Sequence, residues 1–221
     1  MPSDLRTRAI VLRRTNYGEF DRILNLLTPE GKISVVARGV RKEKSRLAGS
    51  IELFSVADVV IHQGKTRLAT LASARMQQFF CNILSDVQNL ELAALLMKKV
   101  ERATEQVTSP DYFSLLIQGL DGLNRSLNPE LVRTWFLLNL ARIGGEEINL
   151  IYDINGNKLS AEVAYVWDQQ EKSLRQYSSG DITAHEVKFL RFLLSNPLLW
   201  ATKVTDYAEI LPHLAPIVNS L

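Results

Sequence analysis

The chain has 221 residues, 46% of them apolar and 23% charged, which excludes a disordered tail and supports a real core. Its formal net charge of +2 conceals an asymmetry: Lys and Arg outnumber Asp and Glu 14 to 7 over residues 1–80 and are outnumbered 12 to 17 over residues 81–221. The single Cys81 excludes an internal disulfide and a thiolate zinc cluster, and the apolar runs fall far short of the ~20 residues of a membrane span.

In chain order, Met1–Arg8 carries no apolar core of a targeting peptide, so a cytoplasmic protein is expected. Ala9–Leu12 reads as a strand. Ile23–Thr28 and Ile33–Ala37 flank Pro29-Glu30-Gly31-Lys32, a reversal signal, and are expected to pair as a hairpin. A basic loop, Gly39–Gly49, follows. Lys32–Arg46 holds six cations against one anion. Ile51–Ile61 is rich in β-branched residues and ends at the turn His62–Lys65, before a fifth strand, Arg67–Ala74. Five short strands in about 80 residues match a small closed barrel, and the unbroken Val59-Val60-Ile61 fits a strand covered on both faces.

From Phe79 the apolar period turns helical. Leu92, Leu96 and Val100 repeat at every fourth residue, and a second stripe runs from Phe113 to Leu127 behind Ser109-Pro110, where Ser caps and Pro fits the first turn. Asn128-Pro129 opens a third helix. Its apolar residues, Leu131 through Ile143, ring the circumference, so it is expected to be the buried central one, ending at Gly144-Gly145. Ile148, Leu150, Tyr152 and Ile154 alternate up to the hairpin signal Asn155-Gly156-Asn157. Val163–Trp167 and Leu174–Tyr177 extend this β excursion. Thr183 starts another helix, and a last one runs from about Thr205, interrupted by Pro212 and Pro216. The fold class expected is α+β: a barrel domain over residues 1–80, then a helical domain over 81–221 with a small β-hairpin insertion at about 146–180.

Signals for catalysis are thin. Gly64-Lys65-Thr66 imitates the end of a phosphate-binding loop, but the glycine needed five residues earlier is Val59, and a turn is the better reading. His62, His185 and His213 share no metal-binding spacing, a Gly-x-Ser-x-Gly elbow is absent, and carboxylate pairs such as Glu146-Glu147 stand alone. No metal or cofactor is expected, nor an enzyme. Cys81, among Phe79, Phe80, Ile83 and Leu84, reads as a buried hydrophobe; Phe54 reads as core; His185-Glu186 reads as an exposed first-turn pair. A basic end instead points to a polyanion, nucleic acid first, because clustered Lys and Arg displace counterions from phosphates. Tyr17 lies beside Arg13, Arg14 and Arg22, where it either stacks a base or plugs the barrel end.

Several segments together resemble the amino-terminal half of RecO-type DNA repair proteins. They are Ile10–Arg13, Tyr17-Gly18-Glu19-Phe20-Asp21-Arg22-Ile23-Leu24, Leu27–Lys32, Val36–Arg41, Ser45–Gly49, Leu53-Phe54 and Leu68–Leu71. Leu140-Ala-Arg-Ile-Gly144 extends the likeness more loosely. The resemblance implies an oligonucleotide-binding (OB) barrel followed by a helical domain, and a role in recombinational gap repair. It implies binding of single- and double-stranded DNA, annealing without ATP, capture of the acidic tail of single-strand-binding protein, and, with RecR, loading of RecA. A nucleoid-associated location follows from the same likeness.

Many members carry four zinc-binding cysteines in the insertion. Residues 146–180 here have none, so Ile148, Tyr152, Val166 and Trp167 are expected to hold it by packing. Candidate DNA contacts are Arg13, Arg14, Tyr17, Arg22, Arg38, Arg41, Lys42, Lys44, Arg46, Lys65 and Arg67; strand alternation keeps Arg13 and Arg14 from both facing outward. Arg133 matches an arginine the family uses for the protein tail, with Arg142 nine residues on; a salt bridge to Glu130 or Glu146 is the plainer role. A protein-interaction adaptor and an RNA-binding factor are the alternatives.

Overall fold

The computed structural model of the chain describes residues 3–63 and 68–221. Strands β1 (Ser3–Tyr17), β2 (Asp21–Thr28), β3 (Gly31–Ala37), β4 (Ser55–Gln63) and β5 (Ala69–Phe79) form a closed barrel in the order β1-β2-β3-β5-β4. The long β1 serves two neighbours. Its first half pairs with β4, from Ser3↔Gln63 to Ile10↔Val56; its second half pairs with β2, from Ile10↔Leu27 to Tyr17↔Asp21. A bulge between Val11 and Arg13 lets the strand turn that corner. β3 and β5 close the barrel in parallel. This is the strand order of the OB barrel.

Alternate residues fill the interior: Ala9 and Val11, Leu24 and Leu26, Val35 and Ala37, Ala57, Val59 and Ile61, and Leu71 are all buried there. Val60 faces outward and is half-buried, so Val59-Val60-Ile61 is not covered on both faces as expected. β1 and β5 run several residues beyond their expected ends, and β4 begins at Ser55 rather than Ile51. Phe54 is buried, as expected, but outside the strand, with φ +60°. Of the expected turn His62–Lys65 and the strand expected from Arg67, residues 64–67, with Lys65 and Arg67, lie outside the described residues.

Outward-pointing Ile10, Leu27 and Val56 are also buried. A 3-10 turn, Cys81–Ser85, leads into helix α1 (Val87–Gln106), which packs on β1 and β3. Asp86 caps α1 by accepting from the Asn89 N–H at 2.8 Å, so the helix starts later than the apolar period suggests. Phe80 and Ile83 take the burial expected of Cys81, which is exposed.

The chain divides into two compact units, Met1–Leu120 and Asp121–Leu221. The first holds the barrel, α1 and most of α2 (Asp111–Asn124), whose start is capped by Ser109 Oγ accepting from the Asp111 N–H.

The second is built on α3 (Pro129–Ile143). Asn128 Oδ1 accepts from the Glu130 and Leu131 N–H groups at 2.9 and 3.1 Å, and α3 buries Leu131, Val132, Trp135, Phe136, Leu137 and Leu138. Around it stand β6 (Tyr165–Asp168), β7 (Ser173–Gln176), α4 (Ala184–Ser195), α5 (Leu198–Ala201) and α6 (Tyr207–Asn219). Asn155-Gly156-Asn157 does turn, but the Asp153 carboxylate takes the Asn155 and Asn157 N–H groups, leaving one bridge, Tyr152↔Lys158, in place of a ladder. Ile148, Leu150, Tyr165, Trp167, Leu174 and Ile182 pack the excursion; Tyr152 is exposed and Val166 half-buried, contrary to expectation. α6 continues through Pro212 and Pro216 because Ile210, Leu211, Leu214, Ile217 and Val218 bury a full stripe on a helix packed against α3 and α4. That burial outweighs a cost of about 3 kcal/mol per interior proline.

Candidate nucleic-acid interface

The β1–β2 turn and the basic loop between β3 and β4 are tied into one lip. Gly18 and Gly39 adopt φ +61° and +63°, left-handed positions where a Cβ would be strained. The Gly39 N–H donates to Asp21 Oδ1 at 2.7 Å, and the Arg41 N–H to the Phe20 carbonyl at 2.9 Å. The Arg41 guanidinium reaches the Gly18 carbonyl at 3.3 Å, and Lys42 Nζ sits 5.4 Å above the centre of the Phe20 ring. Val40 and Ile51, both buried in the barrel interior, anchor the loop from below. On this lip Tyr17 is 54% exposed and Phe20 42%. Two exposed rings beside cations are what a single strand needs: faces for bases and charge for phosphates.

The structure gathers Tyr17, Arg41 and Lys42 here, with Arg22 at the foot of β2, half-buried, its Nε 3.3 Å from Asn16 Oδ1. Arg38, Lys44 and Arg46 are exposed along the same loop. The bulge separates the two neighbouring arginines of β1. Arg13 is exposed, whereas Arg14 turns to Glu52 at 2.6 Å and its charge is neutralised there. Phe20 was not singled out from sequence; its signal is an aromatic two residues past a loop glycine, with arginines on either side.

In OB barrels the outer face of strands 2 and 3 is the usual seat for an oligonucleotide. Here α1 holds part of that face. Asn25 Nδ2 donates to the Glu101 carboxylate at 2.9 Å and Asn25 Oδ1 accepts from the Ser34 hydroxyl at 2.9 Å, while Lys32 Nζ contacts the Glu101 carbonyl at 3.3 Å and the Glu105 carboxylate at 3.0 Å.

Arg133 and Arg142 are not brought together. Nine residues at about 100° each put them on opposite sides of α3. Arg133 binds Asn219 Oδ1 at 2.8 Å and lies 3.6 Å from Glu130; Arg142 binds Asn139 Oδ1 at 2.9 Å. Glu186 corrects an expectation: it is buried, accepting the N–H and hydroxyl of Thr183 and 3.1 Å from His213 Nδ1. Burial alone would raise its pKa; hydrogen bonds from the Thr183 hydroxyl, His213 and the Thr183 N–H outweigh that and lower it to about 2. His185 pairs with Asp206 at 2.9 Å and His62 with Asp4 at 2.8 Å. Among the described residues no three His, Cys, Asp or Glu side chains stand where they could hold a metal ion, and no helix is long and apolar enough to cross a membrane.

A five-stranded barrel in OB order, joined to a helical unit and presenting an aromatic and cationic lip, defines an oligonucleotide-binding-type protein. The family model "Recombination protein O N terminal" matches residues 1–80. The chain is 33% identical over 224 residues to the DNA repair protein RecO of Dehalococcoides mccartyi strain CBDB1, covering 96% of this chain and 87% of the relative. It is 30% identical over 200 residues to that of Alkaliphilus metalliredigens, covering 88% and 80%, and 35% identical over 130 residues to that of Bacillus pumilus, covering 58% and 50%. The chain belongs to the RecO family of DNA repair proteins.

Proposed function

We propose that this protein is a non-enzymatic recombination mediator that binds single- and double-stranded DNA, anneals complementary strands and helps load recombinase at gaps. The pinned lip carries the reading, because Tyr17 and Phe20 offer base-stacking faces within one cationic loop system. Annealing asks only for neutralised phosphates and accessible bases, so it requires no catalytic side chain. The DNA-binding domain is assigned to residues 1–80 and the helical domain to 81–221, with the excursion at about 146–180. Single-strand-binding protein, RecR and RecA complete the set of partners, at a nucleoid-associated, cytoplasmic location. For the tail of single-strand-binding protein, Arg133 and Arg142 are separate candidates, since one helix turns them apart.

The test is an annealing assay with a salt titration of single-strand binding. About six phosphate contacts give a log–log slope of about −4 for single strands. Reversing the charges of Arg41, Lys42 and Lys44 together is expected to slow annealing at least about tenfold and flatten that slope, with Tm within about 2 °C of the parent because all three are exposed. Unchanged annealing would remove the lip from the mechanism.

A further inference from the structure

The outer face of β1, β4 and β5 carries a second concentration of positive charge that the lip does not use. Strand register sets its residues in two outward rows. One runs Arg6–Val60–Ser73 and the next Arg8–Asp58–Arg75 across the three strands. Between them lies an open groove of about 450 Å³, floored by Val60. Arg6, Arg8 and Arg75 are exposed, and none forms an ion pair among the described residues. Asp58, the one carboxylate lining it, is engaged by the Gln77 amide at 2.6 Å. The Thr7 hydroxyl already donates to Glu30, which leaves Ser73 as the neutral donor facing the groove.

We infer that this groove is a second nucleic-acid site that holds the sugar–phosphate backbone of another strand while the lip holds the first. The inference rests on the DNA-binding reading above. Arg6 and Arg8 are two residues apart on one face of β1, roughly 6.7 Å, a pitch suited to successive phosphates of an extended strand, and Arg75 stands about 10 Å across the groove. Guanidinium groups take phosphates in a fixed fork, and the lining contains no ring on which a base could stack, so the contact is with the backbone and leaves base edges free to pair. An acidic peptide fits less well. β4, the central strand of the groove, is paired on both sides along its length, and the shallow floor has no pocket for an anchoring side chain. An annealing protein gains from two such places, because holding both strands on one molecule raises the effective concentration of each for the other.

Native mass spectrometry of the full chain with a short oligothymidylate, which cannot pair with itself, tests the inference. The parent is expected to carry up to two strands per chain. R6E/R75E is expected to carry one, R41E/K42E one, and the fourfold variant none. Arg8 is left in place because its guanidinium packs 5.8 Å over the Phe113 ring. R6K/R75K is expected to keep the second strand, which separates loss of charge from loss of fold. R6Q/R75Q is expected to lower the log–log salt slope of second-strand binding by about 1.4, the share of two phosphate contacts. Two strands retained by R6E/R75E, or one strand on the parent, would overturn the second site alone. No strand on the parent would overturn the DNA-binding reading itself. Polyglutamate bound by the parent and lost from R6E/R75E, with oligothymidylate stoichiometry unmoved, would make the groove a peptide site and overturn the inference.

Discussion

Glu186 stands at the third position of α4 and closes a capping box with Thr183, each side chain taking up backbone donors of the other's turn. Its carboxylate is buried yet ionised, with a pKa near 2 against an ordinary 4.5, because Thr183 and His213 supply the hydrogen bonds that water would otherwise give. A carboxylate whose pKa falls on folding adds stability that is fully present above about pH 5 and lost as pH drops toward 2. At neutral pH this is roughly 3 kcal/mol. E186A is therefore expected to lower Tm strongly at pH 7 and much less at pH 2.5, as followed by circular dichroism; a gap that stays constant over that range would show that packing, not charge, is what Glu186 contributes. No local pattern marks this burial, since a Glu after His185 at a helix start matches a solvated pair equally well, and the deciding partner, His213, lies 27 residues away.

At the scale of elements, the loop after β3 matters through its placement as much as through its charge. Asp21, the first residue of β2, holds the loop by accepting the Gly39 N–H. Its carboxylate is also an anion within a cationic surface, so two effects oppose each other in D21A. Removing the charge favours DNA, whereas releasing Gly39 unpins Arg41 and Lys42 from the β1–β2 turn. Weaker single-strand binding, by about threefold or more, is expected if placement dominates; tighter binding in a fluorescence titration would show that charge alone governs.

Much of this architecture was legible beforehand. Pro29-Glu30-Gly31-Lys32 marked the β2–β3 hairpin because proline and glycine restrict the chain locally, and Asn128-Pro129 marked the start of α3 for the same reason. What escaped depends on distant contacts. β1 reaches Tyr17 through a run of polar residues because β2 supplies the ladder, and β5 reaches Phe79 because β4 does. α6 passes two prolines because its buried stripe compensates for them. The lip was half legible: Tyr17 and the cations stood out, but the pairing of Arg14 with Glu52 and of Lys42 with Phe20 follows from the bulge and the loop path, which no local pattern encodes.

For the whole molecule, charge is divided rather than averaged. With an isoelectric point near 8.7, the chain carries little net charge at neutral pH, yet its cationic surfaces lie within the first 80 residues. Most of those cations are arginines, which stay protonated far above pH 9. Single-strand binding is accordingly expected to persist at pH 9.5, where the protein as a whole is anionic, with Kd within about threefold of its value at pH 7.5 at equal salt. A collapse of affinity on crossing the isoelectric point would mean that total charge, not its local arrangement, draws the ligand.

Helix α1, laid over β2 and β3 by Asn25 and Lys32, has a bearing on how a bound strand leaves. On the reading proposed above, a barrel whose customary cradle is partly taken up by its own chain leaves a guest mainly the rim and the flank to lie on. A hold of that kind would be shallow, sensitive to ions and quickly surrendered, which would suit the proposed mediator, whose cargo must pass to the next hand instead of being stored.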